Sequence, residues 1–221
     1  MPLKVLGIST SPREGGNTDI LLGEALAGAQ AAGAQVERMS LCGLSIAPCS
    51  ECYACARTGV CRIQDDYHAV LMKILAADRL VFATPVFFMG PCAQAKLLID
   101  RCQCLWSRKY LLKQPVAPEG PPDRRALVIA VGGSKSKKMF ECVRLTMKYW
   151  LDALDCAYAA NLFVNQVDER GQVRAHPEAM QAAFRLGRML AGDAPLPQGP
   201  ETVELFGPPG KTTGLRKGGI A

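Results

Sequence analysis

Apolar positions in this chain gather into short runs separated by polar stretches rich in Gly and Pro. Residues 3–8 (LKVLGI) are such a run, ending in hydroxyls, Pro and Gly. Residues 17–32 then place helix formers at helical spacing, with Asn17 or Thr18 as the predicted N-cap. QVERMS (35–40) alternates as a strand does, and a cysteine-rich loop follows. Asp65 and Asp66 are placed to cap a helix over about 67–77. RLVFAT (79–84) reads as a buried strand stopped by Pro85, and a helix is expected over about 92–104. The alternation repeats with ALVIAV (126–131), a Gly/Ser/Lys loop and a helix near 138–154. AYAANLFV (157–164) supplies a fifth strand, and Pro177 to Ala191 a last helix. Residues 195–221 are rich in Pro and Gly and are expected to form an irregular tail.

Five apolar strands alternating with helices imply a parallel sheet covered on both faces, because right-handed crossovers put helices there. Such sheets bind ligands at the carboxyl ends of their strands. The loops at 9–18, 85–91 and 132–137 are therefore the expected ligand loops. A length of 221 residues suits one domain, taken as residues 1–194. The apolar stretches are interrupted before the ~18 residues a bilayer span needs, and Met1 leads directly into a strand-like segment. A soluble, cytoplasmic protein without a membrane partner is expected. The formal charge of +6 is spread along the chain, and Lys135, Lys137 and Lys138 have no interleaved aromatics, which argues against nucleic acid as a partner.

The first loop, STSPREGGNT (9–18), combines hydroxyls, a guanidinium and a helix start. Orphan N–H groups and the helix dipole there favour an anion. Ser9, Ser11, Asn17 and Thr18 could bond phosphate oxygens and Arg13 could add charge; the alternative is a hydroxyl-rich turn capping its own helix. The dinucleotide fingerprint G-x-G-x-x-G is absent here. GPPGKTTG (207–214) resembles a Walker A loop but has Leu205 where its first Gly belongs, so nucleotide hydrolysis is set aside.

Four of the ten cysteines, Cys49, Cys52, Cys55 and Cys61, form C-x2-C-x2-C-x5-C within a loop spanning 42–65. In a reducing compartment such density points to metal rather than disulfides. Three thiolates at three-residue intervals can curl round a cubane while a fourth closes the site after Gly59, which suits one [4Fe–4S] cluster. Zinc usually takes two separated C-x2-C pairs, yet it stays open as a reading, as do unliganded or redox-active thiols. His68 and His176 are not spaced with the cysteines. Cys42, Cys92, Cys102, Cys104, Cys142 and Cys156 lie among apolar residues and read as small buried hydrophobes.

TPVFFMG (84–90) and AQAKLLIDR (93–101), together with the first loop, resemble the flavodoxin-like NADPH-dependent FMN reductase family. Thr84, Pro85, Val86, Phe88, Gln94, Lys96, Ile99, Asp100 and Arg101 match its pattern in register, while Phe87 replaces a Tyr and Met89 and Ala93 stand where glycines are common. The resemblance implies a doubly wound five-stranded parallel sheet of order 2-1-3-4-5 with the cysteine loop inserted after strand 2. It also implies FMN as cofactor, its phosphate in the first loop and its isoalloxazine along Pro85, Val86, Phe87, Phe88 and Gly90; read by themselves, Phe87 and Phe88 could equally be core aromatics. The cysteine spacing followed by Asp65-Asp66 resembles the family's iron–sulfur flavoprotein branch, which implies one FMN and one [4Fe–4S] cluster per subunit of a homodimer or homotetramer. The expected function is electron transfer from a ferredoxin-like donor, which Arg57 and Arg62 could attract, to a small-molecule acceptor, with no acid–base residue required. The alternatives are an NAD(P)H-dependent FMN or quinone reductase with structural cysteines, and a non-enzymatic metal or redox sensor.

Overall fold

The computed structural model describes residues 2–192 and 199–208. The apolar runs become β1 (Lys4–Ser9), β2 (Gln35–Ser40), β3 (Arg79–Phe87), β5 (Arg125–Gly132) and β6 (Ala157–Asn165), paired in parallel in the order β2-β1-β3-β5-β6. This is the expected 2-1-3-4-5 order. Two further strands correct the count: β4 (Gly90–Pro91) pairs antiparallel with β3, and β7 (Glu201–Leu205) adds in parallel to β6. β7 lies in the stretch expected to be irregular. Its polar residues are buried because neighbours satisfy them: Asn161 Nδ2 donates to Thr202 Oγ1 at 3.2 Å, and Arg144 pairs with Glu204. The Walker-like segment lies outside the described residues apart from Gly207 and Pro208.

Alternate residues of the inner strands face opposite layers. Leu80, Phe82, Ala126, Val128 and Ala130 join one core, with α3 (Tyr67–Ala76), α4 (Ala93–Arg101) and α6 (Glu141–Ala153). Val81, Ala83, Leu127, Ile129 and Val131 join the other, with α1 (Asn17–Ala31) and α7 (Pro177–Leu190). On that second face α1 and α7 approach until backbone meets backbone: a Cβ on Gly187 would lie 1.9 Å from the Ala25 carbonyl oxygen, and one on Gly28 2.0 Å from that of Phe184.

Local differences from the expected elements have local causes. Gly16, not Asn17 or Thr18, is the N-cap of α1, since the Asn17 amide is spent on Glu169 O and Val173 N. The helix expected over 92–104 breaks at Cys102 and resumes as α5 (Gln103–Trp106) and a π-helical turn, Ser107–Leu111. Between β2 and α3 the cysteine loop carries one short helix, α2 (Cys55–Thr58), with Gly59 left-handed at its end. At the amino end of the sheet, buried Arg124 donates to Ile74 O and Ala77 O at the end of α3 and to Leu154 O at the end of α6, closing two helices at once.

Candidate functional site

The carboxyl ends of β1, β3 and β5 border a small cleft. Ser11, Arg13, Asn17, Thr18, Pro85, Val86 and Phe87 all line it, as do Gly132, Gly133, Asp168 and Arg170. Ser9 is buried on β1, whereas Phe88 is fully exposed and Gly90 opens β4, so these three expected residues stand outside the lining.

The first loop is tied to itself and to the segment after β6. Arg13 N donates to Ser11 Oγ at 3.1 Å, and Gly16 N to Arg13 O at 3.0 Å. Gly15 has φ +64°, a left-handed geometry that glycine adopts freely. Its N–H donates to Asp19 Oδ2 at 2.8 Å. Burial pushes the Asp19 carboxyl up, but that bond, the Ser9 hydroxyl and the Arg38 guanidinium outweigh it and hold the group below the usual carboxylate range. Across the cleft, Arg13 Nη1 donates to Asp168 O at 3.0 Å and Arg170 Nη2 to Glu14 O at 2.5 Å. Two arginines and the amino end of α1 therefore line one cleft, beside the single carboxylate of Asp168, electrostatics that suit a phosphate.

The third strand ends in a tight hairpin. Phe87 pairs with Gly90, and the two residues between them, Phe88 and Met89, have φ of +48° and +63°. Both central residues at positive φ is the type I′ arrangement, which usually selects Asn-Gly. A Phe-Met pair there carries strain, as is common where backbone is held for a ligand. The hairpin is fixed from below by Cys92, whose N–H donates to Thr84 Oγ1 at 3.3 Å and whose thiol donates to Thr10 O at 3.1 Å.

A second, larger cavity of about 720 Å³ lies against α4 and α6 and shares no lining residue with the cleft. Cys49, Cys52, Cys55 and Cys61 all line it. None is in a disulfide; Cys49 and Cys52 are exposed, Cys55 and Cys61 partly so. Glu51 and Tyr53, flanking Cys52, both have left-handed backbone, the geometry of loops that turn successive amides toward a negative group. The Ala54 amide accordingly lowers the Cys52 thiol from its ordinary value. Among the described residues no three Cys, His, Asp or Glu side chains already converge as a metal-binding group. The chemistry of the donor set nevertheless fits a thiolate-bound centre: four thiols border one space, and besides the Ala54 amide at Cys52, side-chain donors from outside the loop reach two more. Arg101 Nε donates to Cys61 Sγ at 3.3 Å and Ser107 Oγ to Cys55 Sγ at 3.7 Å.

Two more thiols border that cavity, and their environment separates them from the four. Cys102 and Cys104 are buried beside the Tyr67 hydroxyl, and burial pushes Cys102 up to about 12 and raises Cys104. Both stay protonated at neutral pH. The sequence reading of them as buried hydrophobes stands, as it does for Cys92 and Cys156, while Cys42 and Cys142 are exposed.

Open α/β sheets with this strand order and an anion-suited first loop define the flavodoxin-like class. The chain belongs to the NADPH-dependent FMN reductase family, whose model matches residues 3–164. It is 42% identical over 103 residues to an iron–sulfur flavoprotein of Methanocaldococcus jannaschii, 47% of this chain and 53% of that one. It is 34% identical over 134 residues to an iron–sulfur flavoprotein of Methanosarcina thermophila, 61% of this chain and 65% of that one. The chain thus spans between half and two thirds of these relatives' length. Among solved structures, an NAD(P)H:quinone oxidoreductase from Methanothermobacter marburgensis superposes with TM-score 0.68 at 16% identity, covering 88% of this chain and 99% of that one. A flavone reductase superposes with TM-score 0.64 at 24% identity, covering 86% and 62%. These two likenesses concern the fold. Among the described residues no helix is long and apolar enough to cross a membrane.

Sequence reasoning missed Asp168 and Arg170, which follow the fifth expected strand in a stretch with no motif. It placed Arg101 only as a family match and Asp65 only as a helix cap and as part of the Asp-Asp pair after the cysteines; the structure joins them in a bidentate pair at 2.7 and 3.1 Å.

Proposed function

We propose that this protein is an FMN-dependent oxidoreductase of the electron-transfer kind, with a [4Fe–4S] cluster on Cys49, Cys52, Cys55 and Cys61. The observation that carries this reading is the bordering of one cavity by these four thiols on a sheet whose strand ends form a phosphate-suited cleft. When both cofactors are bound, a cluster exchanges single electrons and a flavin one or two, so together they connect one-electron donors to two-electron acceptors.

The chain's own residues supply binding and orientation. Ser11, Arg13, Asn17, Thr18 and Arg170 would hold the flavin phosphate, with Ser9 braced behind them through Asp19. Pro85, Val86, Phe87, Phe88 and Gly90 would present backbone and apolar surface to the ring. Arg57 and Arg62, on the cysteine loop, would steer an acidic donor such as a ferredoxin toward the thiols by charge.

The separation of cavity and cleft within one chain supports a homodimer or homotetramer in which the loop of one subunit approaches the cleft of another. Tyr53, Trp106, Leu111 and Tyr149 line the cavity and are more than a third exposed, apolar surface of the kind subunit contacts cover. The acceptor would be a small molecule, and the cytoplasm is the compartment that suits the reduced thiols.

Oxygen-free purification with iron, sulfide, zinc and FMN analysis and a visible spectrum tests the reading. Iron and sulfide in equal amounts, with flavin bands above a broad shoulder near ~400 nm, are expected. The family's NADPH-dependent character favours a second reading, direct reduction by NAD(P)H with a structural cysteine site. Bleaching of bound flavin by NAD(P)H in a preparation holding zinc or little iron would decide for it.

A further inference from the structure

We propose that Arg101, the last residue of α4, is the positioning residue of the cysteine loop. Its guanidinium ties the loop's two ends together and donates to the sulfur of Cys61, fixing that thiolate for the metal centre. The proposal rests on the cluster reading above and deepens it.

The environment of the side chain carries the inference. Arg101 has no exposed side-chain surface, and each of its five N–H donors has an acceptor. Nε donates to Cys61 Sγ at 3.3 Å. Nη1 donates to Ala47 O at 2.8 Å and Asp65 Oδ2 at 2.7 Å, and Nη2 to Ile63 O at 3.1 Å and Asp65 Oδ1 at 3.1 Å. Ala47 lies just before the first of the four cysteines, while Ile63 and Asp65 lie just after the last. Asp65 Oδ2 also accepts from Ala47 N at 2.9 Å, and its Oδ1 from Tyr67 N at 3.1 Å. The Tyr67 ring lies against the guanidinium, 4.5 Å from its carbon to the ring centroid.

An ion pair serving the fold alone would need only the carboxylate. Here two backbone carbonyls from opposite ends of the loop and one thiol share the same planar group. The loop between them carries Cys49, Cys52 and Cys55 and otherwise has only the short α2 as regular structure. Closing its base lowers the freedom of every thiol it holds. The contact with Cys61 adds an N–H to sulfur bond, and such bonds raise the reduction potential of thiolate-bound clusters. Lysine cannot substitute, because a point charge lacks the fork that reaches four residues at once.

The test compares wild type, Arg101→Lys and Arg101→Gln, each as the full chain prepared without oxygen. Iron release to an excess of a ferrous chelator is expected to be about tenfold faster or more in both variants, the usual scale for losing a partner that orients a metal ligand. FMN content should be unchanged. In the protein that remains loaded, the potential of the metal centre should fall, a shift that a role in the fold alone would not produce. Arg101→Lys decides if Arg101→Gln is insoluble. Iron release at the wild-type rate from Arg101→Lys, or a loaded Arg101→Lys with the wild-type potential, overturns the proposal. A wild type holding no iron and sulfide overturns the cluster reading instead. Trypsin cleavage after Arg57 and Arg62 then tests the tie itself, which is expected to slow cutting relative to Arg101→Lys and is refuted by equal rates.

Discussion

At the scale of single residues, two side chains show how the cleft is held. Asp19 keeps its charge because hydrogen bonds and Arg38 outweigh its burial. A carboxyl lowered in the folded state contributes stability in full above its unfolded value, about pH 4, and loses it as the pH falls through the folded value. Asp19→Asn should therefore flatten the acid limb of stability, measured by urea unfolding between about pH 5 and pH 2; an unaltered limb would assign acid unfolding to other carboxylates. Met89 shows the opposite situation, a side chain held against its backbone preference at φ +63°. Left-handed geometry costs an L-residue roughly 1–2 kcal/mol, of which glycine's greater unfolded freedom returns about 0.5–1 kcal/mol. Met89→Gly is expected to raise apoprotein stability by up to about 1 kcal/mol, read from the urea midpoint. A lowered midpoint would mean that the Met89 side chain contributes more than its strain costs.

At the scale of elements, the helix pair α1 and α7 decides how the first loop is presented. Their backbones touch at Gly28 and Gly187, and α7 follows directly on the 168–175 segment that grips Arg13 and Asn17. Because the atom a Cβ would strike at Gly187 is a backbone oxygen, the helices must separate to admit it. Overpacking of this kind usually costs about 1–3 kcal/mol. Gly187→Ala should lie at the upper end of that range in denaturant unfolding and should weaken FMN binding, since the segment ahead of α7 moves with it. An unchanged flavin affinity would separate the helix crossing from the cleft.

At the scale of the whole molecule, the thiols divide by position in the fold rather than by spacing alone. All six border one cavity, but the four of the loop are exposed or partly so, whereas Cys102 and Cys104 are buried in its wall and protonated. Serine at position 49, 52, 55 or 61 is expected to lower iron and sulfide in oxygen-free preparations while leaving FMN in place. Cys104→Ala should keep both, with Cys142→Ser as the exposed control. Loss of iron from Cys104→Ala to the same degree would redraw the ligand set.

The sequence by itself determined the five principal strands, their order through the family resemblance, the helices between them and the two loop motifs. These are legible because each is local: a buried strand must be apolar, a helix must repeat near 3.6, and a thiol cluster must be spaced along a few residues. Only the tertiary structure decided the rest. β7 is a strand because β6 offers it an edge and Asn161 and Arg144 satisfy its polar side chains, while the segment at 168–173 faces the first loop across more than 150 residues of chain. Arg101 and Asp65 meet 36 residues apart in sequence. A guanidinium reads the same in one dimension whether it faces water or closes a loop; what it does depends on which acceptors folding brings within reach.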